Sequence, residues 1–243
     1  MSGLAFSKWE GLGNDFIVLD ARQGRPPDPC GLALELCRPH LGIGADGLVL
    51  LTSNGRALGM EIYNADGSSA VTCGNALRCL AAHAVREGLS AGEVTFSTPA
   101  GPRQARVLSR EPWWVEVDMG EPVPLGDPGL KVEVDGPRDA CGISLGNPHL
   151  VVFVDQPVDL MRWGPHLQRH GPLGEVNVEF TRVLAPDHLS VQVYERGAGA
   201  TLACGSGACA ALAAAARTGR SLPIARVDLP GGTLEIALEG TVR

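Results

Sequence analysis

The sequence predicts an α/β (α+β) protein made of two similar halves. Short runs rich in β-branched and aromatic residues, bounded by Gly, Pro, Asn and Asp, recur along the whole chain. Helical segments are fewer. One composite unit occurs twice: a strand, a Gly-rich turn, Cys-Gly-[Asn/Ser], and an apolar helix.

In chain order the strand candidates are Phe16–Asp20, Leu48–Leu51, Met60–Tyr63, Glu93–Ser97, Trp113–Asp118, Leu150–Val154, Leu189–Glu195 and Thr233–Leu238. The helix candidates are Gly31–Pro39, Gly74–Glu87, Asp159–His170 and Ser206–Thr218, with Asp159 suited to an N-cap and Gly219 to a C-terminal stop. The run Gly120–Gly129 (GEPVPLGDPG) is rich in Pro and Gly and is read as the domain boundary, giving an N-terminal domain over 1–119 and a C-terminal domain over 120–243. In the first half, the strand ending at Tyr63 leads through Asn64-Ala-Asp-Gly-Ser to Cys73-Gly-Asn-Ala. In the second, the strand ending at Glu195 leads through Arg196-Gly-Ala-Gly to Cys204-Gly-Ser-Gly-Ala. The two cysteines are 131 positions apart (204 − 73), and an internal duplication is expected.

Composition narrows the function. Apolar residues make up 44% and charged residues 19% of the 243, an ordinary globular balance. The net charge of −7 argues against nucleic acid as a partner, since phosphate binding needs a dense positive field. No apolar run approaches a membrane span, and Met1–Glu10 lacks the pattern of a signal peptide. The odd count of 7 cysteines suggests a reduced, cytoplasmic setting. The only lysines are Lys8 and Lys131, neither in a phosphate-cradle context, and the Walker pattern is absent. An enzyme with this sequence is expected to work with side chains alone, without cofactor or metal.

Cys73 and Cys204 each precede a helix. A helix N-terminus carries unpaired N–H groups and partial positive charge, which favour a thiolate and can bind a carboxylate. Gly74 and Gly205 remove bulk so that a ligand can approach the backbone. Two such devices suit inversion at an amino-acid α-carbon: one thiolate removes the proton, one thiol delivers another to the opposite face, and the roles swap in reverse. Their protonation states are coupled. Cys30, Cys37, Cys79, Cys141 and Cys209 are read as packing residues. Zinc is disfavoured, because C-x5-C and C-x4-C on helices turn the thiols away from a common face.

The chain resembles the diaminopimelate epimerase family. The matching segments are Gly11-Leu-Gly-Asn-Asp-Phe, His40-Leu-Gly-Ile-Gly-Ala-Asp, Tyr63-Asn-Ala-Asp-Gly-Ser, Cys73-Gly-Asn-Ala-Leu-Arg-Cys, Gly146-Asn-Pro-His, Val176-Asn-Val-Glu-Phe, and Tyr194-Glu-Arg-Gly-Ala-Gly through Cys204-Gly-Ser-Gly-Ala-Cys, in family order. The resemblance implies two domains, each a strand-rich barrel-like sheet around a central helix, with the site in the cleft between them. It implies interconversion of LL- and meso-diaminopimelate for lysine biosynthesis, no cofactor, no metal, and a homodimer. Cys73 and Cys204 match the catalytic pair. Gly74, Asn75, Gly205 and Ser206 match donors around the reacting carboxylate. Asn14, Asn64, Asn147, Asn177, Glu195 and Arg196 match substrate-binding positions, and His149 and Glu195 match positions that assist the thiols. Asn can serve both an ammonium and a carboxylate, and Arg196 offers a bidentate clamp. Asp46 and Asp66 are read as turn residues.

Three departures stand out. Many relatives carry Gln where this chain has Gly47, and Glu where it has Ala200. Relatives also continue past the position of Arg243 with a strand returning to the first domain. Other readings are a proline or hydroxyproline racemase-type enzyme, a non-catalytic binding protein, and a nucleotide-binding dehydrogenase. The last rests on Gly205-Ser-Gly-Ala-Cys-Ala, which fits G-x-G-x-x-A, with Asp228 about 20 residues on.

Overall fold

The computed structural model of the protein describes residues 4–55, 57–127 and 129–243. The chain forms two compact units, Met1–Asp118 and Met119–Arg243. The Pro- and Gly-rich run after Gly120 supplies β9 (Val123–Leu125) to the second unit, where it pairs with β11; Pro128 lies outside the described residues.

In the first unit, β1 (Ser7–Gly11), β2 (Asn14–Asp20), β3 (Gly47–Ser53), β4 (Leu58–Asn64), β6 (Glu93–Thr98), β7 (Gly101–Arg110) and β8 (Trp113–Val117) lie in that order across one sheet, with β5 (Ser69–Ala70) paired to β4. Helices α1 (Pro29–Leu36) and α2 (Gly74–Arg86) complete the unit. The second unit repeats this wiring with β11 (Pro137–Ser144), β12 (Pro148–Phe153), α3 (Leu160–His170), β13 (Asn177–Ala185), β14 (His188–Glu195), β15 (Gly199–Thr201), α4 (Gly205–Arg217), β16 (Ile224–Leu229), β17 (Gly232–Glu239) and β18 (Thr241–Val242). Strands β2 and β3 are parallel, as are β12 and β13; β4 and β6 are parallel, as are β14 and β16. The corresponding remaining pairs are antiparallel in both units. The second unit adds β9 and β10 (Lys131–Glu133), both on β11. The duplication thus extends from the Cys-Gly segments to the whole topology.

Helices α2 and α4 sit at the centres. α2 touches β1, β2, β3, β4, β7 and β8, and α4 touches β11, β12, β13, β14, β16 and β17. Each sheet therefore curls around its helix, as the barrel-like expectation requires, although the strands at its two ends do not pair with each other. A helix so enclosed must be apolar nearly all round. Leu77, Leu80, Ala81 and Ala84 of α2 and Ala208, Ala211, Leu212 and Ala215 of α4 are fully buried. Each leucine contributes about 2 kcal/mol by leaving water, while the alanines allow close approach of the strands.

The outer helices cover the opposite sheet faces. Ile17, Leu19, Leu48, Leu50 and Tyr63 pack with Ala33 of α1 and with Cys37, which caps the end of that helix. Leu150, Val152, Val178 and Phe180 pack with Leu160, Trp163 and Leu167 of α3. Alternation along β12 and β13 then turns His149, Val151, Asn177 and Glu179 towards α4. At Gly164, α3 meets Tyr194 so closely that a β-carbon would lie 2.4 Å from the ring.

Helix α1 starts earlier than expected. Pro29 pre-sets the first helical φ, and Asp28 accepts from the Gly31 N–H at 2.9 Å, so this proline opens the helix. Asp159 caps α3 through the Arg162 N–H, and Gly219 (φ 70°) follows the end of α4. Cys30 is exposed, contrary to the packing expectation, because it falls on the solvent side of the earlier-starting α1. Cys37, Cys79, Cys141 and Cys209 are buried. Among the described residues no cluster of three or more His, Cys, Asp or Glu could hold a metal.

Candidate active site

Cys73 is the N-cap residue of α2, extended at φ −152° and ψ 118°, half-buried, and its side chain makes no cap bond. No acidic residue occupies the first turn, so the positive end of the helix has no anion within its own sequence. Gly74 and the side chain of Asn75 are buried behind Cys73. Asn75 accepts from Arg78 Nη2 at 2.8 Å and donates from Nδ2 to Asn14 Oδ1 at 3.1 Å. Asn14 donates to Asp46 Oδ2 at 2.8 Å, and that oxygen also accepts the Asp15 N–H at 3.0 Å. Asn14 and Asn75 are thus brought together. Asn64 is exposed at the end of β4 and its Nδ2 donates to Ser68 Oγ at 2.9 Å. Asp66 closes the same turn, accepting from the Ser68 N–H and hydroxyl at 2.9 and 2.6 Å. Asp46 and Asp66 are turn residues, as expected, and Asp46 also orients Asn14.

A β-carbon at Gly47 would lie 3.0 Å from the Tyr63 carbonyl and 3.4 Å from the Phe16 ring. The glycine fits this crowding, and any longer side chain has to displace a neighbour.

Cys204 caps α4 in the same way, at φ −126° and ψ 110°. It is buried; its Sγ accepts the Gly207 N–H at 3.4 Å and lies 3.5 Å from Ser206 Oγ. Asn147 Nδ2 donates to Ser206 Oγ at 3.5 Å, and Asn147 Oδ1 lies 3.1 Å from His149 Nε2. His149 Nδ1 lies 2.7 Å from Glu179 Oε1, with both side chains fully buried. Asn177 Oδ1 accepts the Arg196 N–H at 2.8 Å, and Glu195 Oε1 accepts the Thr201 hydroxyl at 2.6 Å. Arg196 is exposed and therefore available to a ligand.

Burial pushes the Cys204 thiol well above its ordinary range, and the neighbouring Glu195 and Glu179 side chains push the same way; the Ser206 and Gly207 contacts pull it back less. This reverses the thiolate expectation for Cys204 at rest. Helix-end stabilisation is outweighed chiefly by desolvation. Burial also raises Glu179, with His149 opposing it and Glu195 adding to it.

Glu179 was not anticipated from the sequence, although it lies inside the quoted Val176-Asn-Val-Glu-Phe segment. Its signal is the alternation of Asn177, Glu179 and Thr181 with apolar neighbours: this usually marks a solvent face, but here all three are buried. The dehydrogenase reading fails on the same ground. A β-carbon at Gly207 would meet Glu179 Oε1 at 2.8 Å and Cys204 Sγ at 3.3 Å, so the glycine faces filled space and not room for a pyrophosphate. Asp228 is held by His188 at 2.5 Å and Thr233 at 2.7 Å. The strand before α4, β15, is an antiparallel three-residue partner of β14 and not the first strand of a βαβ unit.

The diaminopimelate epimerase family model matches residues 6–125 and 141–242. The chain belongs to that family. It is 43% identical to the diaminopimelate epimerase of Synechococcus sp. (strain JA-3-3Ab), over 97% of this chain and 90% of the relative. It is also 43% identical to that of Rhodospirillum centenum, over 97% and 85%. Two solved structures share the fold. One is a hydroxyproline epimerase from Agrobacterium vitis with bound trans-4-hydroxy-L-proline (TM-score 0.69, 18% identity, 98% of this chain and 86% of that one). The other is a phenazine biosynthesis protein of the PhzF family from Bacillus anthracis (TM-score 0.71, 12% identity, 98% and 92%). These two likenesses concern the fold alone.

Proposed function

We propose that the chain interconverts LL- and meso-diaminopimelate in lysine biosynthesis, without a cofactor or metal, using Cys73 and Cys204 as its acid/base pair. The observation that carries this reading is the doubled device. In a chain of this family, each of two identically wired units presents a cysteine at the N-cap of its enclosed helix.

Inversion needs one group on each face of the α-carbon. Cys204, kept protonated chiefly by burial, is the proton donor in the first direction. Cys73, half-buried, takes the α-proton as thiolate. The Cα–H bond breaks to form an S–H bond at Cys73, and the Cys204 S–H bond breaks to form a new Cα–H bond. No proton is gained or lost overall, and the reverse direction starts from the exchanged pair. Negative charge developing on the substrate carboxylate meets the N–H groups at the starts of α2 and α4, around Gly74, Asn75, Gly205 and Ser206. Asn14, Asn64, Asn147, Asn177, Glu195 and Arg196 bind the polar groups of the substrate, and His149 and Glu195 assist the thiols. We also take the units as the two domains of a cytoplasmic homodimer with no nucleic-acid or membrane partner. The net charge of −7 weighs against a polyanion partner, and among the described residues no helix is long and apolar enough to cross a membrane.

The test is LL-diaminopimelate with reduced, EDTA-treated protein in D2O, following α-deuteration and stereochemistry. Deuterium uptake with meso product is expected. No uptake by folded, reduced protein rejects the substrate, and uptake that requires an added metal rejects the mechanism.

A further inference from the structure

The shared wiring permits comparison of what lies behind each cysteine. Phe16 pairs with Gly47 across β2 and β3, and His149 pairs with Asn177 across β12 and β13. Gly47 pairs with Asn64; Asn177 lies one step beyond the Val178–Tyr194 pair, opposite Glu195. The equivalences follow: Asn14 with Asn147, Phe16 with His149, and Val49 with Glu179. Counting from the N-caps matches Asn75 with Ser206 and Ala76 with Gly207.

In the first unit the positions behind the cysteine are hydrocarbon: Phe16, Val49 and Ala76 are buried. In the second they are His149, Glu179 and a glycine. The fold therefore does not require a polar pair here. A buried acid–imidazole pair is generally no more stabilising than well-packed hydrocarbon of similar volume. This pair even leaves Glu179 Oε2 buried without a hydrogen-bond partner. The second unit also gives up a β-carbon at Gly207, which would lie 2.8 Å from Glu179 Oε1 and 3.3 Å from Cys204 Sγ. Pair, glycine and thiol fit one another.

The polar groups form a directed chain. His149 Nε2–H donates to Asn147 Oδ1 at 3.1 Å, Asn147 Nδ2–H to Ser206 Oγ at 3.5 Å, and the Ser206 hydroxyl, 3.5 Å from Cys204 Sγ, is placed to donate to the sulfur once its proton has left. Every donor points towards the sulfur, the arrangement a thiolate at Cys204 needs after its proton has left. The first link exists only if Nε2 carries a proton. Which imidazole nitrogen is protonated is set by the partner of the other one, and that partner is Glu179.

We propose that Glu179 is a positioning residue for the acid/base step: as a neutral carboxyl it donates its O–H to His149 Nδ1, which leaves the ring proton on Nε2 and so orients the donor chain that ends on Cys204. The two units consequently differ at equivalent positions, with His149 and Glu179 in the second where Phe16 and Val49 stand in the first. This inference rests on the two-thiol reading. The charged and titratable groups facing Cys204 are Glu179, His149 and Glu195.

The test compares Glu179→Gln, Glu179→Leu and the double variant His149→Phe/Glu179→Val with wild type. Glutamine can still donate to Nδ1, whereas leucine cannot. Wild-type kcat should persist within about fivefold in Glu179→Gln and fall about 100-fold in Glu179→Leu with KM little changed, a size typical of lost acid/base assistance. The 15N spectra, with the His149 signals identified by their loss in the double variant, should show a protonated Nε2 in wild type and Glu179→Gln and mixed tautomers in Glu179→Leu. The double variant should melt close to wild type and be as slow as Glu179→Leu. Several results overturn the inference: undiminished kcat in Glu179→Leu, a slow Glu179→Leu that keeps the Nε2–H signal, a Glu179→Gln as slow as Glu179→Leu, or a double variant that no longer folds. An inactive wild type would instead sink the two-thiol reading itself.

Discussion

Asn75 Nδ2 donates to Asn14 Oδ1 across 3.1 Å, tying the second residue of α2 to the first residue of β2. Asn75 is 2% exposed and also accepts from Arg78. Asn75→Ala takes a donor from Asn14 and an acceptor from the Arg78 guanidinium. Stability should fall by about 1–3 kcal/mol, the range for leaving buried polar groups unsatisfied. Urea melts check this, and KM for diaminopimelate should rise with it, because Asn14 then loses one of the two contacts that orient it.

The cysteines separate into two classes. Cys73→Ala and Cys204→Ala should each abolish epimerisation. Cys79→Ala and Cys209→Ala, both in the helix cores, should leave it largely intact at a stability cost of about 1 kcal/mol for the lost packing. Assays of α-deuteration in D2O with each variant check this. Full activity in Cys73→Ala would remove the two-thiol mechanism.

The helix-start cysteines were legible because Cys-Gly-[Asn/Ser] before an apolar helix has few local explanations. The duplication behind them was legible only at those segments. The strands that complete it were hidden for identifiable reasons. β7 carries Gln104 and Arg106 on its outer face, and β13 opens with Asn177 and Glu179, polar positions that read as solvent-facing until α4 covers them. The start of α1 was displaced because Pro29 looks like a breaker in sequence and acts as a first helical residue in the fold. Asn14, Asn75, Asn147 and Ser206 were named by resemblance, and their hydrogen bonds explain why those residue types stand there. Glu179 escaped notice because burial on the helix-facing side of a sheet is a tertiary property.

Alkylation should follow burial and pH. Burial raises Cys37 to about 11 and Cys79 to about 12. A raised thiol pKa means less thiolate at any given pH, so at pH 9 roughly 1% of Cys37 and roughly 0.1% of Cys79 is ionised. Cys204 shifts the same way. With iodoacetamide at pH 8, exposed Cys30 and the Cys73 thiolate should be modified first, and Cys37, Cys79 and Cys204 only slowly, with rates climbing as pH rises past the usual thiol range. Peptide mass mapping over time gives the order. Rapid modification of Cys204 at pH 7 would show that it rests as thiolate and would exchange the roles assigned to the pair.

Gly207 provides the sharpest test of how the second site is assembled. Gly→Ala inside a helix ordinarily stabilises by about 1 kcal/mol. Here the added β-carbon meets Glu179 Oε1 at 2.8 Å and Cys204 Sγ at 3.3 Å, and neither can withdraw, because the carboxyl is enclosed and the sulfur is tied to the Gly207 N–H. Gly207→Ala should therefore destabilise by about 1–3 kcal/mol, the usual range for overpacking, and should slow epimerisation by displacing the thiol. In the His149→Phe/Glu179→Val background, where the smaller valine recreates the surroundings of Ala76, the same alanine should be neutral or stabilising. Denaturant melts of the four proteins in this cycle measure the coupling directly. An unchanged cost in both backgrounds would mean that the glycine is there for the helix start and not for Glu179.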